Sequence, residues 1–260
     1  MKRKWIRWVS WILLTPIILF VILMVLLYVP PVQNLLRREV TAYASKVTGM
    51  QIQVERIDLR FPLNLLVRGV EVIQQPDTLL SLESLNVRVQ AWPLIKGKVE
   101  VDEVTLSRVA VNSADLMEGM KIKGVLGRFF LQSHGVDLSN ELAVINQVEL
   151  SDTHMQLLMN DTTTTPKDTT ASAPINWKVA LHQLKLKNVS FGMQLPADSM
   201  RMTAHIGEAA INNAQADLKN QYYDLKKFLL LGTSASYDTG TAQPTEGFDA
   251  SHIAVRDIRI

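Results

Sequence analysis

Hydrophobic and polar positions follow three successive patterns along this chain, and each predicts a different element. From Trp8 to Val29 there is no period at all, because the stretch is almost wholly apolar and carries no charged side chain. About twenty such residues at ~1.5 Å rise each make a helix of roughly 30 Å, the thickness of a bilayer's hydrocarbon core. A membrane span is predicted there. Pro30 and Pro31 end it, and Pro31 suits the first position of a new helix. Val32, Leu35, Leu36, Val40, Tyr43, Ala44 and Val47 then fall mainly at helical spacing, with Gly49 placed as a C-cap. This short amphipathic helix either caps the open end of a β-domain or lies on the bilayer, and the two are compatible.

After Gly49 the period becomes two. Ile52, Val54, Ile57, Leu59 and Phe61 lead into Leu63, Leu65 and Val67, and a second clean alternation runs through Leu85, Val87, Val89 and Ala91. Val99, Val101, Val104, Leu106, Val109 and Val111 follow. Alternation of this kind describes strands with one buried and one wet face, typical of antiparallel sheet. Turn chemistry at Arg68-Gly69, Gln75-Pro76-Asp77 and Lys96-Gly97-Lys98 is expected to separate them. Leu218 to Leu231 fits a helix through Leu218, Tyr222, Leu225 and Leu229, but strand is preferred because Gly232-Thr233-Ser234 follows and a repeat passes through it.

That repeat consists of two apolar pairs separated by two mainly polar residues. Its copies are Ile52-x-Val54-Glu-Arg-Ile57-x-Leu59, Val99-x-Val101-Asp-Glu-Val104-x-Leu106 and Val179-x-Leu181-His-Gln-Leu184-x-Leu186, then Tyr223-x-Leu225-Lys-Lys-Phe228-x-Leu230 and Ile253-x-Val255-Arg-Asp-Ile258-x-Ile260. Two polar residues in a row break period two, so a bulge is expected at each centre, with the apolar pairs on both sides facing inward. Long strands that bulge midway bend and twist, and the sheet should curl. Uneven spacing of the copies excludes a fixed-period solenoid.

Charge sets the orientation of the anchor. Lys2, Arg3, Lys4 and Arg7 precede the span and no acidic residue does, which holds the N-terminus in the cytoplasm. Trp8 and Trp11 mark the inner headgroup level and Tyr28 the outer, while Pro16 is expected to kink the helix. A cleaved signal peptide is the competing reading. It is disfavoured because the apolar run ends in Tyr28-Val29-Pro30-Pro31, and the Ala-x-Ala at Ala42-Tyr43-Ala44 lies well beyond it.

Of the 27 basic and 25 acidic residues, removing the four cytoplasmic cations leaves 27 − 4 = 23 against 25. A nearly neutral ectodomain argues against nucleic acid, whose binding needs a basic face. With no cysteine, an exported domain has no disulfide scaffold and must fold on burial alone. The five histidines are dispersed without ligand spacing, Glu100, Asp102 and Glu103 read as a wet strand face, and no nucleophile elbow or phosphate loop appears. No enzyme, cofactor or metal site is predicted.

The chain is therefore divided into a cytoplasmic tip and anchor (1–30), an amphipathic helix (31–49) and a first β-segment (50–159). A flexible Thr-rich loop (160–174) precedes a second β-segment (175–260) expected to continue in a longer protein. If the sheet closes, its inward face is an ordinary sandwich core. If it curls but stays open, Leu65, Val67, Leu85, Val87, Val89, Val101, Val104 and Leu106 line an apolar groove able to shelter acyl chains. Each Å2 of apolar area removed from water is worth ~25 cal/mol.

An ordered set of features carries a family resemblance. The anchor and helix lead to Gly49-Met50-Gln51-Ile52-Gln53-Val54, then Ile57-Asp58-Leu59, Leu65-Leu66-Val67-Arg68-Gly69-Val70 and Leu85-Asn86-Val87-Arg88-Val89. Trp92-Pro93-Leu94-Ile95-Lys96-Gly97-Lys98-Val99 and Val104-Thr105-Leu106 complete it. Over roughly the first 111 residues the chain resembles the N-terminal part of AsmA-like superfamily proteins, most of all the Bacteroidetes-type TamB (translocation and assembly module) branch. The resemblance implies a mainly β, taco-like sheet with an open apolar groove, held in the bacterial inner membrane with its bulk in the periplasm. It implies phospholipids as partners, a role in lipid transport or outer-membrane protein assembly, and an outer-membrane barrel partner met by a C-terminal part beyond these residues. The alternative from another class is a membrane-anchored closed β-sandwich serving as scaffold or signalling protein.

Overall fold

Among the described residues a helix, α1 (Pro30–Thr48), precedes a long run of strands. The computed structural model describes residues 29–60, 63–90, 92–93, 100–113, 119–137, 141–159, 176–196, 199–240 and 251–260. The predicted span with Trp8, Trp11, Pro16 and Tyr28 lies outside them, as do the Thr-rich loop and Lys96-Gly97-Lys98. Among the described residues no helix is long and apolar enough to cross a membrane.

Proline in its first turn fixes the start of α1, and Gly49 ends it in the left-handed conformation at φ 68, donating its N–H to Ser45. The helix runs alongside the first strand, in the opposite direction. Gln33 Nε2 donates to the Leu59 carbonyl at 3.1 Å, Arg37 Nη1 to the Glu55 carbonyl at 2.6 Å, and Ser45 Oγ accepts from the Ile52 N–H at 3.0 Å. Side chains of α1 thus satisfy backbone groups on an edge that would otherwise template further pairing. This meets the expectation that the helix caps the sheet.

The strands are β1 (Gln51–Arg60), β2 (Asn64–Gln74), β3 (Asp77–Val89), β4 (Val101–Asn112), β5 (Met120–Asp137), β6 (Leu142–Met159), β7 (Lys178–Leu195), β8 (Met200–Asp217), β9 (Tyr222–Leu231), β10 (Thr233–Asp238) and β11 (His252–Ile258). All belong to one sheet in chain order, except that β9 and β10 share β8, one on each half of it. β11 pairs with β10 and reaches β9 at Leu230, which exchanges both backbone bonds with Ile260. The expected fully antiparallel sheet is corrected at one place. β6 and β7 are parallel, Leu142 opposite Lys178 through Leu158 opposite Gln194. A parallel neighbour requires the chain to return to the same end before pairing. The Leu218–Leu231 segment is strand from Tyr222 onward, after a turn in which Asn220 donates its backbone and side-chain N–H to Asp217. Those bonds hold the Asp217 carboxyl below the usual carboxylate range.

Two creases cross the sheet. In the first, pairing skips one residue on each strand from β1 to β8, so that Glu55, Gly69, Glu83, Arg108, Gly127, Asp152, Asn188 and Gly207 stand in one transverse row, which Gly232 continues between β9 and β10. Several members carry positive φ: 58 at Gly69, 45 at Arg108, 51 at Asp152, 52 at Asn188 and 57 at Gly232. Aspartate and asparagine visit this region more readily than other non-glycine residues. Neighbours lock the row, with Asn188 Nδ2 donating to Asp152 Oδ1 at 2.8 Å and Arg108 paired to Glu83. Gly127 is required by proximity, since a Cβ there would lie 2.7 Å from both the Cβ and the carbonyl of Asp152.

Six positions away lies the second crease, as Asp102 to Arg108, Asn146 to Asp152, His182 to Asn188, Gly207 to Asn213 and Lys226 to Gly232 show. Here Asn146 Nδ2 meets His134 Nδ1 at 2.9 Å and Asn213 has φ 57. The bulges expected at Glu55, Asp102, His182 and Lys226 therefore fall on creases. Of these, only at Asp102 does the register shift by one residue as a bulge requires; at Glu55, His182 and Lys226 the strands resume the same register after the skip, so the expected extra residue is not inserted there. Arg68-Gly69, expected as a turn, lies inside β2, where the crease uses the glycine's positive φ. Gln75-Pro76 does turn the chain from β2 into β3.

Candidate functional site

Each crease resets alternation so that apolar residues stay on one face along the full length of a strand. Between the creases this yields two transverse rows. One runs Ile57, Val67, Leu85, Leu106, Phe129, Leu150, Leu186, Ala209, Leu230, and the other Leu59, Leu65, Val87, Val104, Leu131, Val148, Leu184, Ile211, Phe228. Neither row contains a polar side chain. With strands ~4.8 Å apart, nine strands make each row about 38 Å long.

The predicted groove residues converge on these rows. Val67, Leu85 and Leu106 are directly opposite one another in the first, as are Leu65, Val87 and Val104 in the second. Val89 and Val101 pair just across the second crease. All eight are half-buried. The continuations through Phe129, Leu131, Val148 and Leu150 were not singled out from sequence. Their strands alternate too, but only the register of neighbours reveals that they extend the same rows.

Nothing among the described elements packs over this face, since each strand meets its sheet neighbours and α1 meets β1. Among the described residues buried hydrophobic side chains are accordingly few: Ile57, Leu79, Ala143 and Ala209. A closed sandwich would bury both rows in a dry layer about 10 Å thick between two sheets. At the β9 end the face is most open, with Leu225 55 % and Phe228 47 % exposed.

The opposite face between the creases is predominantly polar. Its outermost row is wholly so: Arg60, Asn64, Arg88, Glu103, Gln132, Gln147, Gln183, Asn212 and Lys227. Arg88 reaches Glu103 at 3.2 Å and Lys185 reaches Glu149 at 3.7 Å. Such exposed pairs contribute little to stability. Arg108 is paired with Glu83, whose carboxyl sits below its usual range because the guanidinium donates to it.

Beyond the first crease, two depressions of about 490 and 510 Å3 meet at Asn112, Lys123, His154 and Gln156. They share no residue with the two apolar rows. His205 Nδ1 lies 2.9 Å from Ser190 Oγ and His154 Nε2 lies 3.2 Å from Gln156 Nε2. Among the described residues no group of three histidine or carboxylate side chains is gathered as a metal ion would need. No family model matches the chain, and no curated protein matches it.

Proposed function

We propose that this protein serves bacterial envelope biogenesis, held in the inner membrane with its bulk in the periplasm, and shelters phospholipid acyl chains along its apolar sheet face. The reading rests on one observation above all: two adjacent nine-strand rows of apolar side chains with no second layer over them among the described residues. An uncovered apolar surface of this extent marks a binding surface in a soluble domain. Acyl chains fit it chemically, because they need a continuous apolar track and no directional polar partner. Burial at ~25 cal/mol per Å2 makes each sheltered chain worth several kcal/mol. The charge-free stretch Trp8–Val29 and the resemblance to TamB-like proteins support the location, and leave assistance to outer-membrane protein assembly as a companion role. Catalysis plays no part in this reading.

Photocrosslinking in the full-length protein tests it. A photoreactive side chain at Leu85, on the apolar face, should capture phospholipid in the membrane fraction, and one at Lys187, on the polar face, should not. Lipid adducts absent at Leu85, or equal at the two positions, would sink the proposal.

A further inference from the structure

Apolar positions on α1 point away from the sheet that the helix caps. Leu35 is 56 %, Val40 46 %, Tyr43 71 % and Val47 65 % exposed. Val40, Tyr43 and Val47 follow a three- and four-residue spacing and so share one side of the helix. Of the residues that bond to the β1 edge, Gln33 lies beside Val40 at the margin of that stripe, Arg37 about 60° round from Val40 and Ser45 about 140° at ~100° per residue, so β1 lies to one flank of the stripe and Tyr43 is turned furthest from it. The bonds to β1 fix how the helix is rolled, so the stripe cannot turn inward without giving them up.

What covers this stripe follows from its neighbours along the chain. The helix begins at Pro30, directly after the charge-free apolar run that ends at Val29. An anchor there leaves α1 no spacer and sets it at the headgroup level. Its charges suit that place, since Arg37, Arg38 and Lys46 against Glu39 give 3 − 1 = +2. Cationic flanks favour anionic headgroups, and a tyrosine among aliphatic residues is at home at the interface.

We propose that α1 is a two-sided adaptor: one side seals the β1 edge, and the stripe of Val40, Tyr43 and Val47 seats in the surface of the bilayer. Because α1 and β1 run side by side, this lays β1 along the membrane and brings the starts of both apolar rows, Ile57 and Leu59, beside the lipid. The inference rests on reading Trp8–Val29 as an anchor, and its test separates the two.

Absence of native cysteine makes single-cysteine labelling clean. The full-length chain is reconstituted in vesicles of phosphatidylethanolamine and phosphatidylglycerol, with an environment-sensitive fluorophore placed by Leu19→Cys, Ala42→Cys, Tyr43→Cys or Val47→Cys. A nitroxide carried near the lipid headgroup then quenches from the membrane, and iodide quenches from water. Labels at Tyr43 and Val47 should be quenched by the nitroxide severalfold more than the label at Ala42, and protected from iodide. If Leu19 is reached by lipid-borne quencher at acyl-chain depth while Val47 behaves like Ala42, the anchor stands and the adaptor is wrong. Protection of Val47 from both quenchers means another protein surface covers the stripe, and that also overturns it. If Leu19 is not reached from the lipid, the anchor reading itself has failed.

Discussion

The two faces of this sheet come from the same strands and obey opposite rules. On one face, Val67, Leu85, Leu106, Phe129, Leu150 and Leu186 stand side by side with no charge among them, and on the other, Arg68, Ser84, Ser107, Arg128, Ser151 and Lys187 form a polar row, although Leu66 and Phe130 stand in the row beside it. In a sandwich the first face would be a core and its contrast with the second would need no comment. Here nothing among the described residues packs over the apolar face, and this contrast is what the proposed lipid shelter rests on. Strict period two could not maintain it along 18-residue strands that also bend. The creases do, by breaking the pairing of neighbouring strands from β1 to β8 at the same height.

Disturbing a crease should therefore have the largest effect on the comparison. Gly127→Val places a branched side chain where even a Cβ would meet Asp152 at 2.7 Å. Overpacking of this sort costs about 2–3 kcal/mol, and we expect that loss in urea-induced unfolding of the full chain.

A charge on the apolar face separates an uncovered surface from a core. Val104→Asp should cost only about 1 kcal/mol, because a half-exposed carboxylate keeps much of its hydration. In a closed core the same change would exceed ~3 kcal/mol. The thermal midpoint distinguishes the two values.

Much of this arrangement was legible in the sequence. Alternation through Leu85, Val87 and Val89 and through Val104 and Leu106 placed those residues on one face, and the polar pairs Glu55-Arg56, Asp102-Glu103, His182-Gln183 and Lys226-Lys227 marked where phase is reset. Arg68-Gly69 misled because a turn and a crease ask the same thing of glycine, a positive φ, and only the partner strand tells them apart. The parallel pairing of β6 and β7 left no trace in either strand, since alternation is blind to direction. Phe129 and Leu150 joined the rows only once register was known, and glycines at Gly124 and Gly127 obscured the pattern of β5. The α1 side chains reaching Glu55, Leu59 and Ile52 follow from helix placement, which spacing alone does not supply.

On the crease itself, Glu83 gives a smaller effect that depends on pH. Its carboxyl is held below its usual value by the bond from Arg108 and then by that residue's charge. A lowered folded-state value means that the contribution is present above the unfolded carboxylate range, about 4.3, and fades as pH falls through the folded value. Glu83→Gln should therefore lower the thermal midpoint slightly at neutral pH, with the gap closing in acid. Both side chains are exposed, 75 % for Arg108 and 49 % for Glu83, so solvent screening keeps the effect small.

The smallest change is expected on the polar face. Lys187→Ala removes an exposed charge with no core contact and should stay within about 0.5 kcal/mol of the parent. Lipid capture at Leu85 should be unaffected by it. A loss there comparable to that of Val104→Asp would erase the distinction between the faces.

Bound lipid, measured directly, tests the central claim. Full-length protein and its Val104→Asp variant are purified from membranes in parallel, and co-purifying phospholipid is quantified by mass spectrometry per folded chain, with circular dichroism confirming equal strand content. An apolar face that shelters acyl chains predicts phospholipid on the parent protein and a severalfold loss on a variant that is still folded. Parent protein free of lipid, or a variant that retains the parent's amount, would contradict it.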